Sequence, residues 1–501
     1  MCNVQIGGET YCSQCNAGAE YLVNGKCKST AEQSGCTQQT VPNGTCKSCG
    51  DGYFLHKGGC YKIADPPGST ICKTAGTAGL CEACQAGYFK HPASTSDATK
   101  QSCIACSDET GADSNLGVAS CVECTPPTTP GTNSQQQKAT CTKCASPKYL
   151  KTDGTCGEAS DCTGTAFPKA DNNAGNKCVS CSDNSNGGIT NCAECSLLPS
   201  ASRSSTALIT CTKCSKNNLS PLKNECMQNC PAGTYDSQGV CTPCHASCSE
   251  CTDDAESSCT ACYPGHVLNR ATDSGSTGTC IPECTGRYAE NCEADMCTAV
   301  LGGSKYCSRC KSGFVPVDGL CVSAGTRAPP NGCTPGDGVC SSCTGTYFLE
   351  SGGCYNTQTL PGSAVCTAVT GNNGQCTTCA NGQQAASGVC PACPAGCSKC
   401  TASSNSQTCS ECLAGYYKTS ANTCVKCDTD DSNIKGVPNC VSCAAPTSNS
   451  GPVTCYVTQT PAVDPTDPSV NKGGLSSGAI AGISVAVIAV VGGLVGFFCR
   501  R

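Results

Sequence analysis

The chain has no tryptophan, 7 phenylalanines, 3 methionines and 4 histidines in 501 residues, and only 14% of it is charged. With so few large apolar side chains, no single core can offset the entropy of ordering the whole chain. The net charge of −6 offers no electrostatic case for a nucleic-acid partner. A catalytic constellation is also missing. Carboxylates such as Asp428, Asp430 and Asp431 read as solvated loop residues, and His245 sits in a tight loop between Cys244 and Cys248. The chain reads as non-enzymatic. Its opening, Met1-Cys2-Asn3-Val4-Gln5-Ile6, lacks the basic and apolar regions of a secretory signal.

What is abundant is cysteine: 59 residues, about 12% of the chain. Crosslinks must then do locally what an apolar interior does elsewhere, by shrinking the unfolded ensemble. Of these, 58 precede the last apolar segment, and an even number is what full pairing in an oxidising compartment requires.

Twenty Cys-x-x-Cys pairs recur along the chain. In a disulfide framework the two cysteines of a pair bridge to different partners on an adjacent strand. That framework is expected at Cys12, Cys15, Cys60, Cys241, Cys244, Cys248, Cys251, Cys259, Cys262, Cys307, Cys310, Cys354, Cys390, Cys393, Cys397, Cys400, Cys409 and Cys412. Two such pairs could instead give four thiolates to zinc, and Cys46, Cys49, Cys81 and Cys84 are the candidate ligands. No cofactor is required by this reading; zinc is the one the chemistry leaves open. A redox CxxC needs a βαβ scaffold, which the pattern lacks. Asn43-Gly44-Thr45 and Asn218-Leu219-Ser220 are glycosylation sequons.

The chain contains a long duplication. Residues 1–106 return at 296–393 with thirteen cysteines in register. Tyr53-Phe54-Leu55 and Gly58-Gly59-Cys60-Tyr61 match Tyr347-Phe348-Leu349 and Gly352-Gly353-Cys354-Tyr355. Fixed cysteines among changing residues describe a crosslink frame with tolerant loops. Cys284 and Cys292 lie upstream of the second copy and have no counterpart before Met1. A missing N-terminal piece, carrying the module start and a signal peptide, is the expectation. A smaller repeat, Cys241-x-x-Cys244-x-x-x-Cys248-x-x-Cys251 and Cys390-x-x-Cys393-x-x-x-Cys397-x-x-Cys400, resembles furin-like and growth-factor-receptor cysteine-rich repeats. In those, short ribbons are stapled into a rod, each unit resting on its neighbour.

The expected fold is therefore small and disulfide-rich: tandem modules of short β-hairpins in an elongated ectodomain, plus one C-terminal transmembrane helix. Gly52-Tyr53-Phe54-Leu55, Gly87-Tyr88-Phe89-Lys90 and Gly415-Tyr416-Tyr417-Lys418 read as turns entering strands, and 107–120, 127–140 and 199–210 as loops. The segments are 1–106, the incomplete first copy; 107–229, CxxC modules; 230–283, a furin-like repeat; and 284–389, the second copy. Then come 390–455, a furin-like repeat with the last CxxC pairs; 456–474, a Pro/Thr-rich stalk; 475–499, the membrane helix; and 500–501, the tail.

The stretch Gly478 to Cys499 is uncharged, and its 22 residues would give a helix of about 33 Å, enough for a bilayer core. Arg500 and Arg501 follow it, so the positive-inside rule makes a single-pass type I plasma-membrane protein with a cytoplasmic C-terminus. Cys499, at the cytoplasmic lipid boundary beside two arginines, is a candidate for S-palmitoylation.

Dense CxxC, the two Gly-Gly-Cys-Tyr phrases and the segment Gly474 to Val487 together resemble the variant-specific surface proteins of Giardia, across the whole chain. The resemblance implies a surface coat antigen exchanged in antigenic variation, with host antibodies and the bilayer as partners and lateral self-association in the coat. Family members are also reported to bind zinc. The family tail is Cys-Arg-Gly-Lys-Ala, whereas this chain ends Cys499-Arg500-Arg501. The alternatives are a cysteine-rich receptor or adhesin for a host or self ligand, and a zinc-binding surface protein.

Overall fold

Short strands carry nearly all of the regular structure. The computed structural model describes residues 1–93, 96–199, 208–272, 275–325, 332–370, 373–403 and 406–459. Among these, strands run two to seven residues and the helices are three-residue 3-10 turns. The turns explain the brevity. Asn24-Gly25 and Asp318-Gly319 place both central residues at positive φ (50° and 68°; 50° and 82°). That is the two-residue hairpin turn whose twist matches its strands, and Asn, Asp and Gly tolerate it best.

Two hairpins make each main sheet. In the first copy the strand order is Lys26–Lys28, Tyr21–Val23, Gly59–Lys62, Tyr53–His56, with a single parallel pairing, Val23 to Cys60, joining the hairpins. In the second copy Leu320–Ser323, Phe314–Val317, Gly353–Asn356 and Tyr347–Glu350 repeat it, joined at Val317 to Cys354. The plan recurs over Tyr149–Ser180 and Asn218–Pro243, joined at Leu150 to Lys177 and Leu219 to Val240.

Cores are correspondingly small. Phe54 and Tyr61 are fully buried with Val4, Ile6 and Ile71 around Cys72, Cys81 and Cys103. Phe348 and Tyr355 do the same with Ala299 and Leu301 around Cys366 and Cys376. The ring centroids are 6.3 Å apart in the first pair and 6.1 Å in the second, both at 40°. Sulfur thus supplies much of the buried apolar surface that a larger side chain would supply elsewhere.

The chain divides into two units, Met1–Ser215 and Lys216–Arg501. In the second, the last strands return to the start of the unit. Tyr456 Oη donates to Glu225 Oε1 at 2.7 Å, and Gln459 Nε2 donates to Ala246 O at 2.7 Å. This is a contact that stacking on sequence neighbours alone would not make.

Two sequence expectations are corrected. Segments 107–120 and 127–140 are not simply loops: Asn115–Leu116 pairs in parallel with Gln137–Lys138. Buried Asn115 organises the site, accepting from Gly131 N–H and donating through Nδ2 to Asp113 O. The strand Thr454–Thr458 also carries the fold into the segment read as a stalk. The rest of that segment, the membrane helix over 475–499 and Cys499 lie outside the described residues. Among the described residues no helix is long and apolar enough to cross a membrane.

Candidate functional site: the CxxC framework

In an extended strand the first and fourth Cα atoms are ~10 Å apart, beyond the ~7 Å limit for a disulfide, so a CxxC pair cannot close on itself. The ribbon Cys121–Thr125/Thr140–Cys144 shows the outcome. Cys121 registers with Cys144 and Cys124 with Cys141, each strand bulging within its CxxC. The bridge runs between the two first cysteines, Cys121–Cys141, at a Cα–Cα distance of 5.8 Å. The second cysteines turn to flanking units, Cys124 to Cys106 and Cys144 to Cys156.

The rule repeats. First cysteines join in Cys192–Cys211, Cys248–Cys259 and Cys397–Cys409. Second cysteines bond outward in Cys244–Cys251, Cys262–Cys280, Cys393–Cys400 and Cys412–Cys424. Cys15, Cys60, Cys241, Cys307, Cys310, Cys354 and Cys390 are bridged to Cys27, Cys49, Cys230, Cys292, Cys321, Cys343 and Cys379. Each of these four ribbons is closed by its own bridge, and those of Cys121, Cys248 and Cys397 are tied to the units before and after them.

Cys12 is a correction. It was expected in the framework, but Cys2 and Cys12 are the free cysteines of the described chain. Their counterparts in the second copy, Cys297 and Cys307, bond to Cys284 and Cys292.

The candidate zinc ligands are all in bridges: Cys46 to Cys36, Cys49 to Cys60, Cys81 to Cys72 and Cys84 to Cys103. Crowded bridges do bring three sulfurs within 4.8 Å, as at Cys36, Cys46 and Cys60. A bridged sulfur has no thiolate to offer, so zinc at these positions would require reduction first.

Among the titratable groups shifted from their ordinary behaviour, His56 and Asp318 occupy the two duplicated sheets. His56 is buried against Tyr61 and Tyr88, with Nδ1 3.2 Å from Cys103 O, and burial pushes it down to about 4. Asp318 is pushed up to about 6 by burial, against the opposing hydrogen bond it accepts from Asn356 N–H at 2.7 Å. Neither group adjoins a nucleophile. A cavity of about 590 Å³ in the second unit is lined by Leu268, Leu301 and Leu413, with Lys399 and Glu411 ion-paired at 2.7 Å on its wall. Of the sequons, Asn43 is exposed, whereas Ser220 of the second is fully buried.

A family model described as Giardia variant-specific surface protein matches residues 1–206, 188–374 and 368–501. Major surface-labeled trophozoite antigen 417 of Giardia intestinalis is 31% identical over 690 aligned positions, covering 99% of this chain and 94% of the relative. Variant-specific surface protein VSP4A1 of the same organism is 30% identical, with the same coverage. Proprotein convertase subtilisin/kexin type 5 of Rattus norvegicus is 27% identical over 163 positions, covering 32% of this chain and 7% of that protein. No solved structure matches.

Proposed function

This chain belongs to the Giardia variant-specific surface protein family, and from that premise we propose how it works as a surface coat antigen. Its crosslinked modules present changeable loops to host antibody and are replaced when another variant is displayed. The observation that carries this reading is the duplication. Five bridges recur in both copies while most residues between the cysteines differ. A fold fixed by bridges lets its exposed loops change at little cost in stability, which is what an antigen under antibody selection needs. Bridges that suppress local opening also slow proteolysis, because cleavage requires an opened segment.

The finer reading is a single-pass type I protein. The segment 475–499 spans the plasma membrane, Cys499 is acylated on its cytoplasmic side, and the modules from 1–106 to 390–455 stand outside with neighbouring copies packed beside them. Each module carries its own bridges and needs no cofactor.

Staining of intact clonal cells with an antibody to residues 96–120 tests the coat. Uniform surface label that disappears in switched populations is expected. Constant low-level label across clones would overturn the reading. Extraction with alkaline carbonate tests the anchor separately: release into the supernatant would remove it.

A further inference from the structure

The fold treats the two Asn-x-Thr/Ser sequences in opposite ways. Asn43-Gly44-Thr45 stands on the loop closed by Cys36–Cys46, where residues 40–43 are exposed. Asn43 Oδ1 accepts from Thr45 N–H at 3.0 Å and from Thr45 Oγ1 at 2.7 Å. This turn closes within the three residues and needs no distant part of the chain. Asn43 Nδ2 has no hydrogen-bond partner among the described residues. The main chain beneath is held in place, because Gln14 Nε2 donates to Asn43 O at 2.6 Å and Cys15 N–H donates to Gly44 O at 2.9 Å. Gly44 has a φ of 81°, and a Cβ there would strike Cys15 O, so the middle residue must be glycine. Asn218-Leu219-Ser220 is the reverse case. Asn218 lies in a strand opposite Met227, and its Nδ2 donates to Cys230 Sγ at 3.6 Å. Ser220 is fully buried; its Oγ donates to Asn224 Oδ1 at 2.8 Å and accepts from Asn224 N–H at 3.2 Å. Both groups that a transferase would need are engaged inside the module. In the second copy the matching loop, closed by Cys333–Cys340, separates its cysteines by 7 residues instead of 10 and contains no asparagine.

We propose that Asn43 carries an N-linked glycan and that Asn218 does not, so that the first copy is marked on one loop and the second copy is left bare. The donor is an N-acetylhexosamine oligosaccharide carried on a lipid pyrophosphate and presented by a membrane transferase. Asn43 Nδ2 forms a bond to the anomeric carbon of the sugar, and the bond from that carbon to the pyrophosphate oxygen breaks. The lipid pyrophosphate leaves with the electron pair, and the amide proton passes to a base of the transferase. The two donors from Thr45 fix the amide through its oxygen and leave the reacting nitrogen free. Because the turn is local, the nascent chain can adopt it before the module closes, and the finished loop keeps the sugar in solvent. A sugar on Asn218 would displace its contact with Cys230, next to the bridge Cys230–Cys241. The proposal rests on the surface reading, since such donors face the lumen through which surface proteins pass.

The test uses the full chain purified from whole cells whose surface has first been labelled with biotin. After reduction, alkylation and trypsin, residues 29–47 and 217–223 are separate peptides, each with one of the two sequences. Mass spectrometry should find whole N-acetylhexosamine units on 29–47 and none on 217–223. The gain should be lost in Asn43→Gln and in Thr45→Val, which removes the hydroxyl at nearly constant shape, and kept in Thr45→Ser. Mapping Cys36–Cys46 in each variant checks that the loop still closes. An unmodified 29–47 overturns the proposal whatever the biotin shows, and so does a sugar on 217–223 or one that survives Asn43→Gln. The biotin reads the coat separately: a chain glycosylated at Asn43 but unlabelled at the surface would uphold this site and remove the coat reading.

Discussion

The copies at 1–106 and 296–393 share five bridges and a Phe–Tyr core, yet they cover that core with different material. In the first, Cys84 and Cys103 are 19 residues apart, and the end of the loop between them returns to the sheet. Ser102 N–H donates to Leu55 O, Lys57 N–H donates to Gln101 Oε1, and His56 is sealed beneath. In the second, the corresponding separation, Cys379 to Cys390, is 11 residues, and the position of His56 is taken by Glu350. There the preceding module provides cover. Tyr288 packs edge-on against Tyr306 at 5.7 Å, Ser304 Oγ donates to His266 O, and Arg270 donates to Leu360 O. Tyr306 is buried, whereas its counterpart Tyr11 is only half-buried. The bridges fix the sheet, and loop length and neighbours decide what is wetted.

If the cores are equivalent, Phe54→Ala and Phe348→Ala should each cost ~3–5 kcal/mol and unfold only their own copy. Hydrogen exchange read through copy-specific peptides would show this; loss of protection in both copies from one substitution would break the picture of local cores. Removing one bridge should come next. Replacing both Cys49 and Cys60 with Ala, or both Cys343 and Cys354, should cost ~2–4 kcal/mol, seen as faster protease cleavage within that copy. A much larger loss in one copy would show that cover, not crosslinking, dominates there.

Acid should act on the copies in opposite directions. His56 is neutral when folded, with a pKa of about 4 against 6.5 in the unfolded chain. Its contribution is complete above 6.5 and is lost as pH falls through 4, at most about 3 kcal/mol. Asp318 has a folded pKa of about 6 against 3.8 unfolded. Its contribution is complete below 3.8 and is lost as pH rises through 6, a smaller effect of about 1–2 kcal/mol because its side chain keeps some solvent. Denaturant titrations between about pH 6.5 and 4 should therefore weaken the first copy and strengthen the second. Parallel trends would refute these assignments.

The smallest change sharpens this. Asn24 stands where Asp318 does, at the same φ of 50°, and its Oδ1 accepts from Lys62 N–H at 2.8 Å as Asp318 accepts from Asn356 N–H. Asp318→Asn should keep the hydrogen bond, remove the buried charge, stabilise the second copy by about 1 kcal/mol at neutral pH and abolish its gain in acid. A destabilised variant would mean that the charge itself is needed, with Arg270 the cation that favours it.

Much of this architecture was legible in the residues. The phrases Gly52-Tyr53-Phe54, Gly87-Tyr88-Phe89 and Gly415-Tyr416-Tyr417 do enter the strands Tyr53–His56, Tyr88–Lys90 and Tyr416–Lys418, because a glycine turn followed by aromatic residues is a local signal. The Asn115–Leu116 strand was not legible, since its partner is some twenty residues on and its buried Asn115 looks like any loop asparagine. Pairing was hidden for a combinatorial reason. Several cysteines within reach admit many connectivities; in each bulged ribbon the first cysteine registers with the partner's second cysteine yet bonds to its first.

Composition and spacing by themselves determined that this chain is held by sulfur, that its strands are short and that its modules repeat, because those properties depend on residue type and local distance. Which cysteine meets which, and why His56 is dry in one copy while Tyr306 is dry in the other, were decided only by the tertiary structure. Those outcomes depend on loops and neighbouring modules brought together from distant parts of the chain, which no local pattern encodes.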